Sequence, residues 1–368
     1  MKKCEVTKNR NSAIELLRII SMVMIIFHHF AYHSSFNYDN SGISISRLWY
    51  NFIIMGGQIG VNIFVLISGY FMINDDEISI KKIIKLYGEI IFYSLMIMGI
   101  SKIVLGYDIG MKKILKSCFP IIFSRWYFAS AWFAMFLVHP YINKFLKSLN
   151  KKQYIQLLAL CIVMWSVIPT FTTSEFESNT LIWFILLYFI SAYIRIFGLN
   201  INKKVLIRWT IIMIFINYST SLLLSVLGIK FSFFNHYIIY FYGREKITTF
   251  LCSIMIFLVS VNCKIKCNSI INYVAGSTFA VYLIHDSDEV RRLLWNVLFD
   301  GERFQNNIIL IPFSIIVVVF VFIICTVIDL IRRETIERIW IKMFEKIMEK
   351  RKNRNYYNII AKRLRKIL

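Results

Sequence analysis

Residues 12–30 read SAIELLRIISMVMIIFHHF, an apolar stretch interrupted by Glu15, Arg18, His28 and His29. The hydrocarbon core of a bilayer is roughly 30 Å thick and a helix rises about 1.5 Å per residue, so about 20 apolar residues cross it. An arginine inside such a segment costs at least about 2.5–3.5 kcal/mol unless it faces a polar interior or reaches the interface. The stretch therefore predicts a membrane helix with one polar face.

Apolar runs of this kind recur along the whole chain. Its 368 residues are 58% hydrophobic and 17% charged, with a mean hydropathy of +0.61, whereas a soluble domain has about 25% charged residues. The composition predicts an all-α fold class, a polytopic integral membrane helical bundle with about ten transmembrane helices. The predicted spans are 14–34, 48–74, 86–105, 126–145, 153–174, 178–197, 208–229, 247–263, 267–287 and 304–329. The stretch 231–242 is predicted to be a half-helix or a re-entrant segment.

Basic residues outnumber acidic ones by 43 to 21, which gives a net charge of +22. Because they lie in short clusters between the apolar runs, they predict membrane lipids as partners and no nucleic acid. The distribution of Lys and Arg predicts that both termini are cytoplasmic. The seven cysteines are scattered and lack further ligands nearby, so we predict free thiols and no metal.

The chain divides into a membrane domain, residues 1–331, and a basic tail, residues 332–368. In the tail, Ile339, Trp340 and Met343 belong to an apolar series at helical spacing. This pattern predicts an amphipathic helix on the cytoplasmic face of the membrane. The alternative is a solvated segment that only holds the last span in register.

The polar residues of the first span fall on one helix face. Glu15 lies three residues before Arg18, close enough on a helix for the two to pair. Arg18 and His29 are eleven residues apart, so they point in nearly the same direction about 16 Å apart along the axis. This face predicts a site that uses a fixed cation and a titratable imidazole. The alternative is a snorkelling arginine and a histidine satisfied within the bundle.

The second span carries small residues at Gly56, Gly57, Gly60, Ser68 and Gly69, which allow close approach of another helix or of a ligand. Lys81, Lys82 and Lys85 follow it. The basic cluster predicts either positive-inside topology alone or a docking point for phosphate groups. For the second alternative, the candidate binding residues are Ser68, Gly69, Tyr70, Lys82 and Lys85.

Three further residues are candidates for the site. His285 lies near the end of the ninth predicted span and is preceded by Tyr282. Trp126, beside Arg125 and Tyr127, is interpreted most simply as an anchor in an aromatic belt. The pair His139-Pro140 is interpreted as the end of the fourth span.

These features occur in an order that resembles acyltransferase family 3, a family of membrane-bound acyltransferases that often O-acetylate surface glycans. The resemblance covers residues 11–331. It depends on Glu15-Leu-Leu-Arg18 with ten residues before His29, on the segment from Gly60 to Tyr70, on Trp126-Tyr127 with Pro140, and on Phe279-Ala-Val-Tyr282-Leu-Ile-His285.

The resemblance implies a bacterial cell-membrane enzyme. It would move an acetyl or other short acyl group from acetyl-CoA or another acyl-coenzyme A to a sugar hydroxyl of a surface or lipid-linked glycan. His29 matches the family's catalytic histidine and Arg18 its partner arginine, with Glu15 beside it. Two positions depart from the pattern, because Lys82-Ile-Ile-Lys85 replaces a pair of arginines and Asn62 replaces an acidic residue. Lysine keeps the charge but lacks the forked geometry that suits a phosphate.

The chemistry expected of such a site is general base catalysis, in which His29 takes the proton of the attacking hydroxyl. A transient acyl-histidine is a second role for the same residue. Two other classes remain open on the residues alone. One is a transporter or flippase of a lipid-linked saccharide, with Arg18 gripping pyrophosphate. The other is a scaffold whose polar groups merely pack.

Overall fold

A computed structural model describes residues 11–38, 42–103, 106, 110–199, 201–263 and 265–353, with side chains to residue 349. Within these ranges the chain is helical and contains no β-strand. The α-helices are α1 Ser12–His33, α2 Ile45–Met72, α3 Ile80–Ile103, α4 Met111–Cys118, α5 Tyr127–Ser148, α6 Lys151–Ile162, α7 Ile168–Thr172, α8 Thr180–Phe197, α9 Lys203–Lys230, α10 Ile247–Val261, α11 Ser269–Ala275, α12 Thr278–His285, α13 Asp288–Leu293, α14 Leu310–Arg332 and α15 Arg338–Asn353.

Seven helical segments in the described part of the chain are long and apolar enough to cross a membrane. The prediction of an all-α membrane bundle is therefore confirmed, whereas the count of ten spans and the side of each terminus stay predictions. The three predicted spans outside this set correspond to α5, α10 and the pair α11–α12. The seven segments are Ser12–His33, Ile45–Met72, Ile80–Ile103, Lys151–Thr172, Thr180–Phe197, Lys203–Lys230 and Leu310–Glu349.

The pairing of α1 with α2 forms the centre of the bundle. Asn11 caps α1 by accepting a hydrogen bond from the backbone N–H of Ala13. The glycines of α2 face α1: a Cβ at Gly60 would lie 2.7 Å from the carbonyl oxygen of Ser21, and one at Gly57 would overlap the imidazole of His28. The small residues therefore set the distance between the two helices.

Replacing Gly57 by alanine is expected to lower the melting temperature of the purified protein, because the new methyl group forces α1 and α2 apart. Overpacking of this kind costs about 1–3 kcal/mol. Gly99→Ala is the matched control, since a Cβ there has no neighbour within 4 Å and alanine favours the helix. Equal melting temperatures for the two variants would contradict the close approach of α1 at Gly57.

A buried ionic cluster joins α3, α14 and the start of the tail. Arg332, 2% exposed, contacts Asp329 at 2.8 Å, Glu337 at 2.8 Å and Glu89 at 3.4 Å. The hydroxyl of Tyr93 donates to Asp329 at 2.8 Å. The guanidinium thus neutralises carboxylates that burial would otherwise destabilise.

The tail helix α15 packs on α3 through Trp340. A Cβ at Gly88 would lie 2.8 Å from the indole of Trp340, so the glycine leaves room for the ring. Ile339 and Met343, which flank Trp340 on α15, are 62% and 59% exposed. The tail is thus helical over Arg338–Asn353, and its place on the cytoplasmic membrane surface stays a prediction. Residues 354–368 of the predicted tail lie outside the described residues.

One predicted helix end and one predicted unbroken span are wrong. Helix α5 continues through Pro140 to Ser148, because His139 Nδ1 donates at 2.5 Å to the carbonyl of Phe136, which the proline cannot bond. The predicted span 267–287 is broken between Ala275 and Thr278 into α11 and α12.

The stretch 231–242 forms two short 3-10 helices, Ser232–Tyr237 and Tyr240–Tyr242, rather than one half-helix. It connects α9 to α10. Tyr240 donates a hydrogen bond to the carbonyl of Pro169 at 3.0 Å, and Lys246 donates to the same carbonyl at 2.7 Å. These bonds fix the connection against α7.

Residues 106–125 are basic although the predicted topology places them outside the cytoplasm. Two of these charges are paired, since Glu289 contacts Lys113 at 3.0 Å and Arg125 at 3.1 Å. Burial alone would raise the pKa of Glu289, but Arg125 and Lys113 beside it hold the pKa below its usual value. Pairing to Glu289 therefore explains two of the charges that the positive-inside rule does not.

Candidate functional site

A polar cavity of about 500 Å³ lies at the C-terminal end of α1. Histidines of α1 line one side, and the junction of α12 and α13 lines another. The segment 239–245 and Tyr127 of α5 complete it. The lining residues that carry a charged group or an imidazole are His28, His29, His33, Arg244, Glu245, Asp286 and Arg291.

His29 and His285 form a hydrogen-bonded pair that determines which ring nitrogen is basic. His285 Nδ1 lies 2.6 Å from the carbonyl oxygen of Val281, and a carbonyl only accepts, so Nδ1 carries the hydrogen. Nε2 of the neutral His285 ring is then an acceptor and lies 2.9 Å from His29 Nδ1. His29 therefore donates through Nδ1 and keeps its lone pair on Nε2.

Asp286 adds a carboxylate to this pair. Its Oδ1 lies 3.6 Å from His29 Nδ1 and 3.0 Å from a terminal nitrogen of Arg291. Arg291 also donates to the backbone carbonyl of Asp286 at 3.0 Å. Because α12 ends at His285 and Ser287 caps α13, His285 and Asp286 lie together at the junction of the two helices. The carboxylate is positioned to stabilise a protonated His29.

A narrow apolar slot meets the polar cavity at His29. His29 and Tyr127 line both spaces, and the slot continues between Met22, Phe64 and Tyr282. Its volume is about 20 Å³, which is little more than one water molecule requires. Met22, Ile25 and His29 belong to one stripe of α1, which is the face predicted from the positions of Arg18 and His29.

The segment 243–245 is fixed to the core by side chains beneath it. Asn62, fully buried, donates from Nδ2 to the carbonyl of Arg244 at 2.9 Å and accepts from Trp183 at 2.9 Å. Ser166 donates to the carbonyl of Glu245 at 2.7 Å. The amide of Asn62 thus holds one wall of the cavity, at a position where acyltransferase family 3 often has an acidic residue.

Arg18 and Glu15 lie toward the other end of α1. The nitrogen Nε of Arg18 is 3.5 Å from Glu15, and the Arg18 side chain is 28% exposed. The predicted Glu15–Arg18 pair is therefore present. Neither residue lines the cavity or the slot at His29. Arg18 lies one helical turn before Met22, on the same stripe of α1.

The predicted donor-binding residues have other partners in this structure. Lys82 contacts Asp75 at 2.5 Å and Lys85 contacts Glu337 at 2.8 Å, with both lysine side chains more than half exposed. Ser68 accepts a hydrogen bond from Trp132 at 2.8 Å. Gly69 packs against Tyr188 and Ser191 of α8, and Tyr70 accepts from Arg195 at 3.1 Å. The lining of the two spaces at His29 contains none of these five residues.

Trp126 is 2% exposed, so the interpretation of this residue as an aromatic-belt anchor is wrong. The guanidinium of Arg125 lies over its ring, 5.0 Å from the centroid. Burial beneath a paired arginine explains the difference, since Arg125 is held by Glu289 rather than by the membrane interface. Its neighbour Tyr127 is the residue that reaches the cavity.

Several cavity residues were not predicted. His28 donates from Nδ1 to the carbonyl of Ile54 at 2.7 Å, which locks α1 to α2 beside the site. His33 follows His29 by one helical turn, a spacing that would have indicated it. Asp286 and Arg291 follow His285 in the sequence, but no local pattern predicts that Arg291 turns back to Asp286.

One atom each of His29, His33 and Asp286 lie within 4.8 Å of one another, a spacing that a metal ion could use. Their present partners oppose this, since His29 Nδ1 pairs with His285 and Asp286 pairs with the cation of Arg291. A metal would have to displace the guanidinium. The donor set fits a hydrogen-bonded acid–base network better than a metal centre.

A family model described as an acyltransferase domain matches residues 11–329 of the chain. No curated protein and no solved structure matches the chain significantly. The matched region begins at the cap of α1 and ends within α14, so it contains every residue of the cavity and of the slot.

Proposed function

The chain belongs to acyltransferase family 3 and is a membrane acyltransferase, and from this premise we propose that it moves an acetyl or other short acyl group from acyl-coenzyme A to a sugar hydroxyl of a surface or lipid-linked polysaccharide. The cell membrane of a bacterium is its proposed location. One observation carries the proposal: His29, with its basic nitrogen defined by His285, lies where an open polar cavity meets a narrow apolar slot.

The proposed reaction is a direct acyl transfer at His29. A sugar hydroxyl in the polar cavity gives its proton to Nε2 of His29 as its oxygen attacks the thioester carbonyl. The new C–O bond forms, the C–S bond breaks, and the proton passes to the departing thiolate to give coenzyme A. While His29 is protonated, Asp286 stabilises the imidazolium from 3.6 Å.

The slot, little larger than one water molecule requires, is proposed to receive the methyl end of a short acyl group. Its apolar walls at Met22, Phe64 and Tyr282 suit a short hydrocarbon chain and exclude water from the thioester. Arg18, on the same stripe one helical turn before Met22, supplies a fixed cation to the donor. Lys82 and Lys85, more than half exposed on α3, are proposed to attract the donor's phosphate groups, which compete with Asp75 and Glu337 for them.

His285 is proposed as a positioning residue, since it acts on substrate only through the His29 tautomer. We expect His285→Phe to reduce kcat by about 10²-fold, because the His29 ring loses the acceptor that holds its hydrogen on Nδ1. His285→Gln, whose amide oxygen can replace that acceptor, is expected to recover most of the rate. The measurement is kcat for acetyl transfer by both variants at equal protein levels. Equal losses in the two would indicate that His285 only packs.

The function is tested by measuring coenzyme A release in proteoliposomes of the purified protein with acetyl-CoA. The acceptor is polysaccharide extracted from cells that lack the protein and de-acylated with mild base. Release that depends on polysaccharide, with acetyl signals appearing in its proton NMR spectrum, is the expected result. Movement of lipid-linked sugar with no acetyl-CoA consumed would instead indicate a transporter, an alternative for which the family match offers no support.

A further inference from the structure

A second polar cavity of about 580 Å³ adjoins the one at His29. We propose that it is the subsite that holds the acceptor saccharide beyond the sugar that reacts, so that the acceptor is an oligosaccharide or polysaccharide rather than a single sugar. This inference rests on the proposed acyl transfer. The residues that carry it are Phe36, Tyr38, Arg47, Tyr50, Asn51 and Asn235.

Three separate segments of the chain contribute lining residues to both cavities. On α2, Arg47 and Asn51 line the second cavity while Ile54 and Gln58 line the first. These four positions follow the spacing of a single helical stripe about 16 Å long. A ligand lying along this face of α2 would therefore occupy both cavities.

The other two elements show the same continuity. At the end of α1, His33 lines the first cavity and Phe36, three residues later, lines the second. In the connection between α9 and α10, Asn235 lines the second cavity, Gly243 lines the first, and Ile239 lines both. The two spaces thus lie side by side along the same three elements, with His29 in the first.

The chemistry of the second cavity fits a sugar chain. Phe36, Tyr38 and Tyr50 form a ring cluster with centroid distances of 6.1, 5.5 and 5.1 Å. Aromatic faces of this kind pack on the C–H surfaces of sugar rings. Arg47 and Asn51, each 1% exposed, are polar residues of the cavity wall, and Asn51 Nδ2 donates to Ser225 at 3.0 Å, which fixes its amide. A few fixed polar groups among aromatic side chains are typical of a small-molecule site of this size.

The position of this cavity, rather than its charge, argues for the acceptor and against the acyl donor. It lies past the C-terminal end of α1, whereas Arg18 and the lysines after α2 lie toward the other ends of these helices. The donor and acceptor would then reach His29 from opposite directions.

The test compares two acceptors in acetyl-transfer assays with proteoliposomes. One is the de-acylated polysaccharide from cells lacking the protein, and the other is the mixture of monosaccharides obtained by hydrolysing it. The wild-type protein is expected to have the higher kcat/KM for polysaccharide, per mole of sugar. Ser232→Trp, which fills the second cavity from an exposed position, is expected to reduce this preference about ten-fold.

Tyr50→Ala is expected to reduce the preference similarly, and Tyr50→Phe to restore it, because the ring rather than the hydroxyl contacts the sugar. Tyr141→Ala is the matched control: Tyr141 is 71% exposed on α5 and lines neither cavity. A preference unchanged in both Ser232→Trp and Tyr50→Ala would overturn the subsite while leaving acyl transfer intact. Failure of the wild-type protein to consume acetyl-CoA with either acceptor would overturn the proposed function itself.

Discussion

Replacing His29 by glutamine is expected to reduce acetyl transfer to polysaccharide by roughly 10²–10⁴-fold, the contribution typical of a general base. Glutamine keeps a hydrogen-bonding side chain toward His285 but has no nitrogen that can accept the hydroxyl proton. The measurement is coenzyme A release with polysaccharide present, at equal amounts of folded protein. Because the loss falls on the chemical step, it should appear in kcat more than in the KM for acetyl-CoA.

His139→Gln is the matched control for this experiment. His139 is a buried histidine of α5, 1% exposed, that bonds the carbonyl of Phe136 and lines neither space at His29. Its replacement is expected to change transfer by no more than about two-fold, although α5 loses a compensating bond at Pro140. Wild-type transfer by the His29 variant would remove His29 from the mechanism and with it the proposed reaction.

Replacing Arg332 by methionine is expected to destabilise the protein by about 3–5 kcal/mol, the cost of leaving buried charges without their partner. Asp329, Glu337 and Glu89 would then share a buried space in which Glu337 keeps its contact with Lys85 at 2.8 Å, and Asp329 and Glu89 lose their ion pair with Arg332. The measurement is the free energy of unfolding in mixed detergent micelles.

Arg338→Met provides the control on the same stretch of chain. Arg338 pairs with Glu334, and both side chains are exposed, so its removal should change the unfolding free energy by less than about 1 kcal/mol. If the two variants unfold alike, the ionic cluster contributes nothing that an exposed pair does not. A loss confined to Arg332→Met would indicate that the cluster stabilises the packing of α14 and the start of the tail on α3.

Residues within one helix were predictable from the sequence, because a regular helix fixes which side chains share a face. The stripe of α1 is the example: the spacing of Arg18 and His29 predicted a common face, and Met22, Ile25 and His29 line one slot. The Glu15–Arg18 pair follows from the same periodicity. Composition and apolar run length likewise predicted the helical membrane fold.

Contacts between distant segments could not be predicted from one sequence. His29 and His285 lie 256 positions apart, and nothing in either local pattern indicates that they meet. The break before α12 and the continuation of α5 through Pro140 depend on bonds that a neighbouring side chain or helix supplies. Lys85 is interpreted from the sequence as part of a topological or phosphate-docking cluster, and its partner Glu337 becomes a neighbour only in the folded chain.

The narrowness of the slot beside His29 has a consequence for the ion gradients that a cell maintains across its membrane. An enzyme that joins a donor on one side to an acceptor on the other needs a path through the bilayer, and a wide wet path would leak ions. A space of about 20 Å³ between Met22, Phe64 and Tyr282 admits little water, and hydrophobic constrictions of this kind stop hydrated ions by dewetting. The side chains proposed to receive the acyl group would therefore also limit the passage of ions through the resting protein.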